Sequence, residues 1–219
     1  MFQKYYSYLF FFLCFIGSAQ KDSISIDPRY LEDQLYLGLT YNIYDNTPEG
    51  FLKDGFAYGI STGFIRDIPF NKRRNFGVGL GLGYSFNTYI QNVVVTESNQ
   101  DVFATETFDQ TYTIKTNSID IPFQIRWRTS TLQDYKFWRI YTGVNFSYIL
   151  NSSAIGTTDN QIVNLTNVLH VKPWQYSFAI SAGYGTWNVY FDYALVPFFE
   201  GDNDLRMNTM RLGLMFYIF

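Results

Sequence analysis

The side chains best suited to catalysis are few and lie close together in the sequence. The chain has one histidine, His170, and Ser152, Ser153 and Asp159 precede it in the same predicted loop. A serine, a histidine and an acid can act as nucleophile, base and orienting group, but only in a defined geometry that this spacing does not identify. We therefore predict that His170 is an ordinary loop residue and that the protein is not an enzyme.

Signatures of metal, cofactor and nucleic-acid binding are absent from the sequence. No cluster of histidine, cysteine and acidic residues has metal-ligand spacing. The glycines of Gly77–Gly83 alternate with apolar residues and open no helix, unlike the glycines of a phosphate-binding loop. The net charge is −3, which gives no basic surface for nucleic acid. We predict no metal, no cofactor and no nucleic-acid partner.

A second set of polar residues falls at alternate positions within otherwise apolar segments. Its members are Asp120, Gln124, Arg126, Arg139, Asp192 and Arg211. A charge that is shielded from water needs a partner, and Asp192 and Arg211 fall on neighbouring predicted strands. We predict that these two residues pair and that the set forms a structural polar plug. The alternative is an ion or proton path.

The elements that position these residues have a period of two. Over most of the segment Phe76–Ile90, glycine, serine and asparagine alternate with apolar residues. The apolar residues are Phe76, Val78, Leu80, Leu82, Tyr84, Phe86 and Ile90. Successive side chains of a strand point to opposite faces, so one face is apolar and the other nearly bare. A soluble sheet would expose a charged face instead. The pattern indicates a barrel with lipid outside and small residues inside.

Eight segments follow this pattern. They are Gln34–Tyr44, Gly55–Arg66, Phe76–Ile90, Thr113–Arg128, Phe137–Leu150, Pro173–Tyr184, Trp187–Pro197 and Arg206–Phe219. Each is long enough to cross a membrane core, which takes about 9–11 tilted residues. We predict an all-β fold, an antiparallel up-and-down barrel of eight transmembrane strands spanning residues 34–219. A soluble lipocalin-like barrel is the alternative.

The start of the chain has the features of an export signal. Lys4 precedes the apolar run Leu9–Ile16, and Gly17–Ala19 supplies small residues for cleavage. We predict a signal peptide over residues 1–19 and a periplasmic lead-in over residues 20–33. Cys14, the single cysteine, lies in the signal peptide, so the mature chain has no disulfide.

The links between the segments predict an orientation. Residues 67–75, 129–136 and 185–186 are short, whereas residues 91–112 and 151–172 are long. Short turns belong to the periplasmic side and long loops to the outside. We expect the outer membrane of a Gram-negative bacterium, with the N-terminus in the periplasm and the long loops extracellular.

Aromatic residues mark the ends of the predicted strands. Trp127 and Trp138 flank one short turn, and Trp174, Tyr184 and Trp187 lie on the following hairpin. These five are candidates for the girdles at the membrane–water interfaces. The last strand ends in Phe216, Ile218 and Phe219, which resembles the C-terminal signal read by the barrel-assembly machinery. Leu212, Leu214, Phe216 and Ile218 are expected to face outward, because that turns Arg211 inward.

The mature chain resembles the PorT-type, porin-family outer-membrane barrels of Bacteroidota. The segments that carry the resemblance are Gly63–Pro69, Asn71–Asn75, Gly79–Tyr84, Asn87–Tyr89, Ile119–Phe123, Arg126–Arg128 and Tyr135–Tyr141. The resemblance implies a link to type IX protein secretion, and it brings no catalytic residues.

Three functions follow from these observations. The first is a structural or accessory component of an envelope assembly, which could be the type IX secretion machinery. The second is a narrow channel, because an eight-stranded barrel has an interior just wide enough for side chains. The third, an enzyme with its site at the outer rim, has the least support. The expected partners are membrane lipid, the barrel-assembly machinery and other envelope proteins.

Overall fold

The computed structural model describes residues 33–47, 55–71, 73–91, 93–98, 101–106, 111–129, 137–158, 161–166, 171–200 and 206–218. The predicted signal peptide, most of the predicted lead-in, Asp159, His170 and Phe219 lie outside these ranges. Within them, no helix is long and apolar enough to cross a membrane.

Eight antiparallel strands close into a barrel, which confirms the predicted fold and strand count. The strands of the chain, in order, are β1 (Gln34–Asp45), β2 (Tyr58–Pro69), β3 (Phe76–Gln91), β4 (Val93–Ser98), β5 (Asp101–Glu106), β6 (Thr111–Arg128), β7 (Trp138–Thr158), β8 (Gln161–Thr166), β9 (Trp174–Tyr184), β10 (Trp187–Ala194) and β11 (Asn208–Ile218). The barrel follows the order β1-β2-β3-β6-β7-β9-β10-β11, and β11 pairs with β1 to close it.

The alternation of residue types decides which face of each strand turns inward. Along β1, Leu35, Leu37 and Leu39 are exposed on the outside, whereas Gln34 and Tyr36 are buried. Glycines on the inner face give the larger side chains room. Gly63 and Gly83 are cross-strand partners, and a Cβ at Gly83 would collide with the Tyr36 hydroxyl. The bare face of β3 therefore serves to accommodate tyrosine inside a narrow barrel.

Predicted strand boundaries on β2, β7 and β10 were wrong by three residues or more. β2 continues to Pro69, so Asp67 belongs to a strand and not to a turn. β10 ends at Ala194 instead of Pro197, and β7 runs on to Thr158 into the predicted loop. The first error has a physical reason: a charged pair such as Arg66-Asp67 is typical of a turn, but here Asp67 points inward to arginine partners.

The two ends of the barrel differ. We call the end that carries residues 70–75 and Gly185–Thr186 the turn end, and the opposite end, to which β4, β5 and β8 are connected, the loop end. At the loop end β6 and β7 remain paired up to Thr111 and Thr157, with a register shift opposite Asn117 and Ser118. β8 extends this sheet by pairing with β7, and β4 and β5 form a separate hairpin.

The outer surface of the barrel is an apolar band with polar residues above it. Leu80, Ile121 and Phe123 are among its exposed side chains. At the loop end, Tyr84 Oη donates to Asn117 Oδ1 (2.6 Å), and Asn117 Nδ2 donates to Asn151 Oδ1 (2.6 Å). Because amides do not face lipid tails without cost, this polar ladder marks the upper edge of the band. The ends of β6 and β7 beyond it are therefore outside the apolar layer.

Candidate functional site: the barrel lumen

A buried cluster of charge fills the lumen at the turn end. Asp67 Oδ1 accepts from Arg126 Nη1 at 3.1 Å, and Asp67 Oδ2 accepts from Arg128 Nη2 at 2.7 Å. These three side chains are 0–1% exposed. Arg126 also donates through Nη2 to Gln34 Oε1 at the start of β1. The cluster thus ties β1, β2 and β6 together from the inside.

Arg139 joins this cluster through aromatic rings. Its guanidinium lies 4.5 Å from the ring centroid of Phe137, 5.8 Å from that of Tyr141 and 5.6 Å from that of Tyr217. Arg126 lies 4.2 Å from the Tyr141 ring on the other side. The negative faces of the rings stabilise both guanidinium groups where water is excluded.

Asp192 and Arg211 form the polar centre of the lumen. Their side chains are direct cross-strand partners, and Arg211 donates to Asp192 Oδ1 through Nε (2.9 Å) and Nη2 (2.8 Å). The other oxygen, Oδ2, accepts from Ser177 Oγ at 2.6 Å and from Tyr190 Oη at 3.1 Å. The carboxylate is therefore bonded at both oxygens, as a buried charge requires.

Asp120 lies in a different environment from the other two acids. Its Oδ1 accepts from Ser118 Oγ at 3.3 Å, and Ser118 in turn contacts Ser85 Oγ at 2.8 Å. Among the described residues no arginine forms an ion pair with it. Gln124 lies on the same inner face and lines the void beside Asp120. The polar set is therefore split into three separate groups and does not form one continuous chain of charges.

The space left in the lumen is small. Two voids in the described part of the lumen each offer about 30 Å³ to water, and both are lined by Asn87 and Arg211. A volume of this size holds about one to three water molecules. Arg211 and Asn87 border both voids, so these two side chains narrow the lumen at this level.

An aromatic plug closes the loop end of the lumen. It consists of Tyr44, Tyr89, Phe198, Phe199 and Met207, all at most 4% exposed. The chain after β10 turns into the mouth of the barrel, where Phe198 N–H donates to Met207 O (2.8 Å) and Lys172 N–H donates to Phe198 O (2.9 Å). This plug was not predicted, because the alternation of residue types places Leu195–Pro197 at the end of a strand. The adjacent Pro197, Phe198 and Phe199 were the available signal.

The predicted interfacial aromatics lie on the outer surface. Trp127, Trp138, Tyr184 and Trp187 ring the turn end, where the Trp138 and Tyr184 ring centroids are 5.5 Å apart. Trp174 lies at the opposite end of the barrel, although it shares a hairpin with Tyr184 and Trp187. The Trp174 and Tyr148 ring centroids are 4.9 Å apart. The aromatic residues therefore form two girdles, one at each edge of the apolar band.

The remaining predicted residues are placed as follows. On β11, Ile218 is exposed and Phe216 packs against Trp187 on the outer face, with ring centroids 4.8 Å apart. Ser152 is buried, whereas Ser153, the next residue along β7, is partly exposed on the other face. Two serines on opposite faces of a strand cannot both serve one site at the rim. Within the described ranges, no group of three or more metal-ligating side chains could hold a metal ion.

Comparison with known proteins gives a family and a distant structural match. A family model described as "Outer membrane protein beta-barrel domain" matches residues 18–200. A structure of Ail, the attachment invasion locus protein of Yersinia pestis, aligns with 85% of this chain and 97% of its own, at 13% identity and a TM-score of 0.34. No curated protein sequence matches the chain significantly.

Proposed function

Because the chain belongs to the outer-membrane β-barrel domain family, we propose that it is a non-enzymatic accessory component of an envelope assembly. In this proposal the turn end faces the periplasm and the loop end faces the exterior. Membrane lipid surrounds the apolar band, and the barrel-assembly machinery inserts the chain through its last strand. The barrel acts as an anchor, and its exposed strands bind the partner.

The observation that carries this proposal is the filled lumen. Asp67 and its arginines fill the turn end, the Asp192–Arg211 pair crosses the centre, and Phe198 and the other plug residues close the loop end. Such an interior stabilises the barrel, and side chains take up most of the space that eight strands enclose. A function of this barrel therefore belongs to its surface.

β8 offers a surface for a partner protein. One side of β8 pairs with β7, and among the described strands its other side has no partner. Its sequence, Gln161–Thr166, carries no charge, whereas the β4–β5 hairpin carries Glu97, Asp101 and Glu106. Charges on an edge discourage strand addition, and their absence favours it. An extended segment of another envelope protein can therefore bind β8 as an added strand.

The assembly that we propose is the type IX secretion machinery, because the chain resembles PorT-type barrels. The test is a deletion strain complemented with the wild-type gene, with I162K/N164K in β8, or with V94K in β4 as a matched control. Site-specific crosslinking through β8 should capture one defined membrane partner, and I162K/N164K should abolish it while V94K does not. Loss of protein secretion in the same strains supports type IX. A specific partner together with normal secretion would point to another assembly. If neither the wild-type barrel nor the V94K control captures a partner, the proposal is overturned.

A narrow channel is the second candidate, favoured by the polar voids beside Asn87 and Arg211. Conduction requires the aromatic plug, the Asp192–Arg211 pair and the Asp67 cluster all to move aside. Planar-bilayer recording of the wild-type barrel tests this: steady conductance above the lipid baseline would favour the channel.

A further inference from the structure

The turn between β2 and β3 is held in a fixed shape from both sides. Phe70 N–H donates to Phe76 O at 2.9 Å, and Arg74 N–H donates to Asn71 O at 3.0 Å. Arg74 has a positive φ of 55°, a left-handed conformation that is uncommon outside glycine and asparagine. From inside the barrel, Arg128 Nε donates to the Arg74 carbonyl at 2.7 Å. The turn is therefore a rigid part of the barrel wall.

Two guanidinium groups on this turn have no counter-ion in the part of the chain that the structure describes. Arg73 is exposed and Arg74 is half-buried, and neither has a carboxylate partner among the described residues. Arg74 Nη1 is shielded from solvent and has no hydrogen-bond partner in the described part of the chain. The nearby Arg66 differs, because its Nη1 lies 3.3 Å from Asp33 Oδ2. The two guanidinium groups therefore keep donor capacity that a ligand with acceptor oxygens can use.

An apolar surface lies directly below these cations. Phe70 is 63% exposed and Phe76 is 42% exposed, and their ring centroids are 6.1 Å apart on the outer face. Ile68, 50% exposed, continues this surface into the apolar band. A molecule bound here would meet cations at the turn and apolar side chains one step toward the membrane centre. Among biological anions, this combination fits a phospholipid.

We propose that Arg73 and Arg74, with Phe70 and Phe76, bind one anionic glycerophospholipid of the leaflet at the turn end. The phosphate accepts hydrogen bonds from the two guanidinium groups, which suit phosphate oxygens in geometry and charge. The acyl chains lie against the phenylalanines. The other fully described link at this end, Gly185–Thr186, has neither charge nor an aromatic residue. The proposal rests on membrane placement and the proposed orientation, and not on any partner protein.

The test is native mass spectrometry of the full mature barrel, released from nanodiscs that contain phosphatidylglycerol and phosphatidylcholine in equal amounts. We expect the wild-type barrel to retain one phosphatidylglycerol at least fivefold more often than phosphatidylcholine. The variant R73Q/R74N should lose this preference, because asparagine keeps the left-handed conformation while both cations are removed. Added salt should weaken retention in the wild type.

The matched control is K115Q/K172Q, which removes two positive charges from the loop end, and heat-modifiable gel mobility confirms that each variant is folded. The control should retain phosphatidylglycerol like the wild type. Equal retention of both lipids, or equal losses in the two double variants, would overturn the proposal. A third arm with lipid A tests the other phosphate source: stronger retention of lipid A than of phosphatidylglycerol at Arg73 and Arg74 would also overturn it. Because purified barrel is used, the outcome is independent of the partner proposed for β8.

Discussion

Arg211 on β11 and Asp192 on β10 are direct cross-strand partners, and Arg211 Nη2 lies 2.8 Å from Asp192 Oδ1 in the middle of the lumen. Because Ser177 and Tyr190 donate to the other carboxylate oxygen, four groups from three strands meet at this acid. The pair is thus a crosslink across β9, β10 and β11.

The substitution D192A should destabilise the barrel strongly. It leaves the Arg211 guanidinium buried without its counter-ion, which typically costs about 3–5 kcal/mol. The free energy of unfolding, measured by urea titration in lipid vesicles, checks this. The double variant D192A/R211M removes both charges and should recover at least half of the loss. If D192A alone is as stable as the wild type but changes conductance, an ion path is favoured over a structural plug.

Asp67 should matter more to stability than Asp120. D67N removes the counter-ion of Arg126 and Arg128, whereas D120N alters only a carboxylate that accepts from Ser118. We expect the free energy of unfolding to fall by about 3–5 kcal/mol in D67N and by markedly less in D120N. Asp120 is the matched control, since it is an acid of equal size on the same barrel interior. Equal losses for the two variants would contradict the assignment of Asp67 as the central acid of the turn-end cluster.

Strand count and residue faces were predictable from the sequence because they depend on local alternation alone. Because Leu212 and Leu214 face outward and side chains alternate along a strand, Arg211 faces inward whatever its partner is. The partners of the inward-facing residues were harder to predict from the sequence. Asp192 and Arg211 could be paired because their strands are sequence neighbours. Arg126 instead finds Asp67 across β3, and that approach depends on the registers of two strand pairs.

The plug and the basic turn show the other limit of prediction. Whether Phe198 continues a strand or folds into the mouth depends on the cavity left by Tyr44 and Tyr89, which no local pattern encodes. Likewise, the sequence places Arg73 and Arg74 in a short link, but the bond from Arg128 to the Arg74 carbonyl depends on tertiary structure.

Removing the plug alone should not open a pore. F198A/F199A deletes two rings that pack at 5.0 Å from each other and close the loop end, but the Asp192–Arg211 pair and the Asp67 cluster still fill the lumen. We expect the free energy of unfolding to fall by several kcal/mol, because two buried aromatic side chains are truncated. Conductance should stay at the lipid baseline. F198A/F199A combined with R211A should stay at baseline as well, because Asp67 and its arginines still fill the turn end. Conductance from the plug variant alone would show that the centre of the lumen is permeable.

Gly83 should be intolerant of a side chain, and shortening Tyr36 should relieve part of the cost, because a Cβ at Gly83 also lies 2.8 Å from the Thr62 carbonyl oxygen. A Cβ at Gly83 would collide with the Tyr36 hydroxyl. The ring of Tyr36 is confined inside the barrel beside β1, β2 and β3. G83A should therefore lower the free energy of unfolding by about 1–3 kcal/mol, the usual cost of overpacking. Y36F removes the oxygen that the new methyl group meets first. G83A should therefore lower the free energy of unfolding less in the Y36F background than in the wild type. G81A, which meets the Phe64 carbonyl and the Ile65 side chain instead, is the control: Y36F should not rescue it. Equal rescue of both glycine variants would mean that Tyr36 acts through general loosening of the lumen and not through this contact.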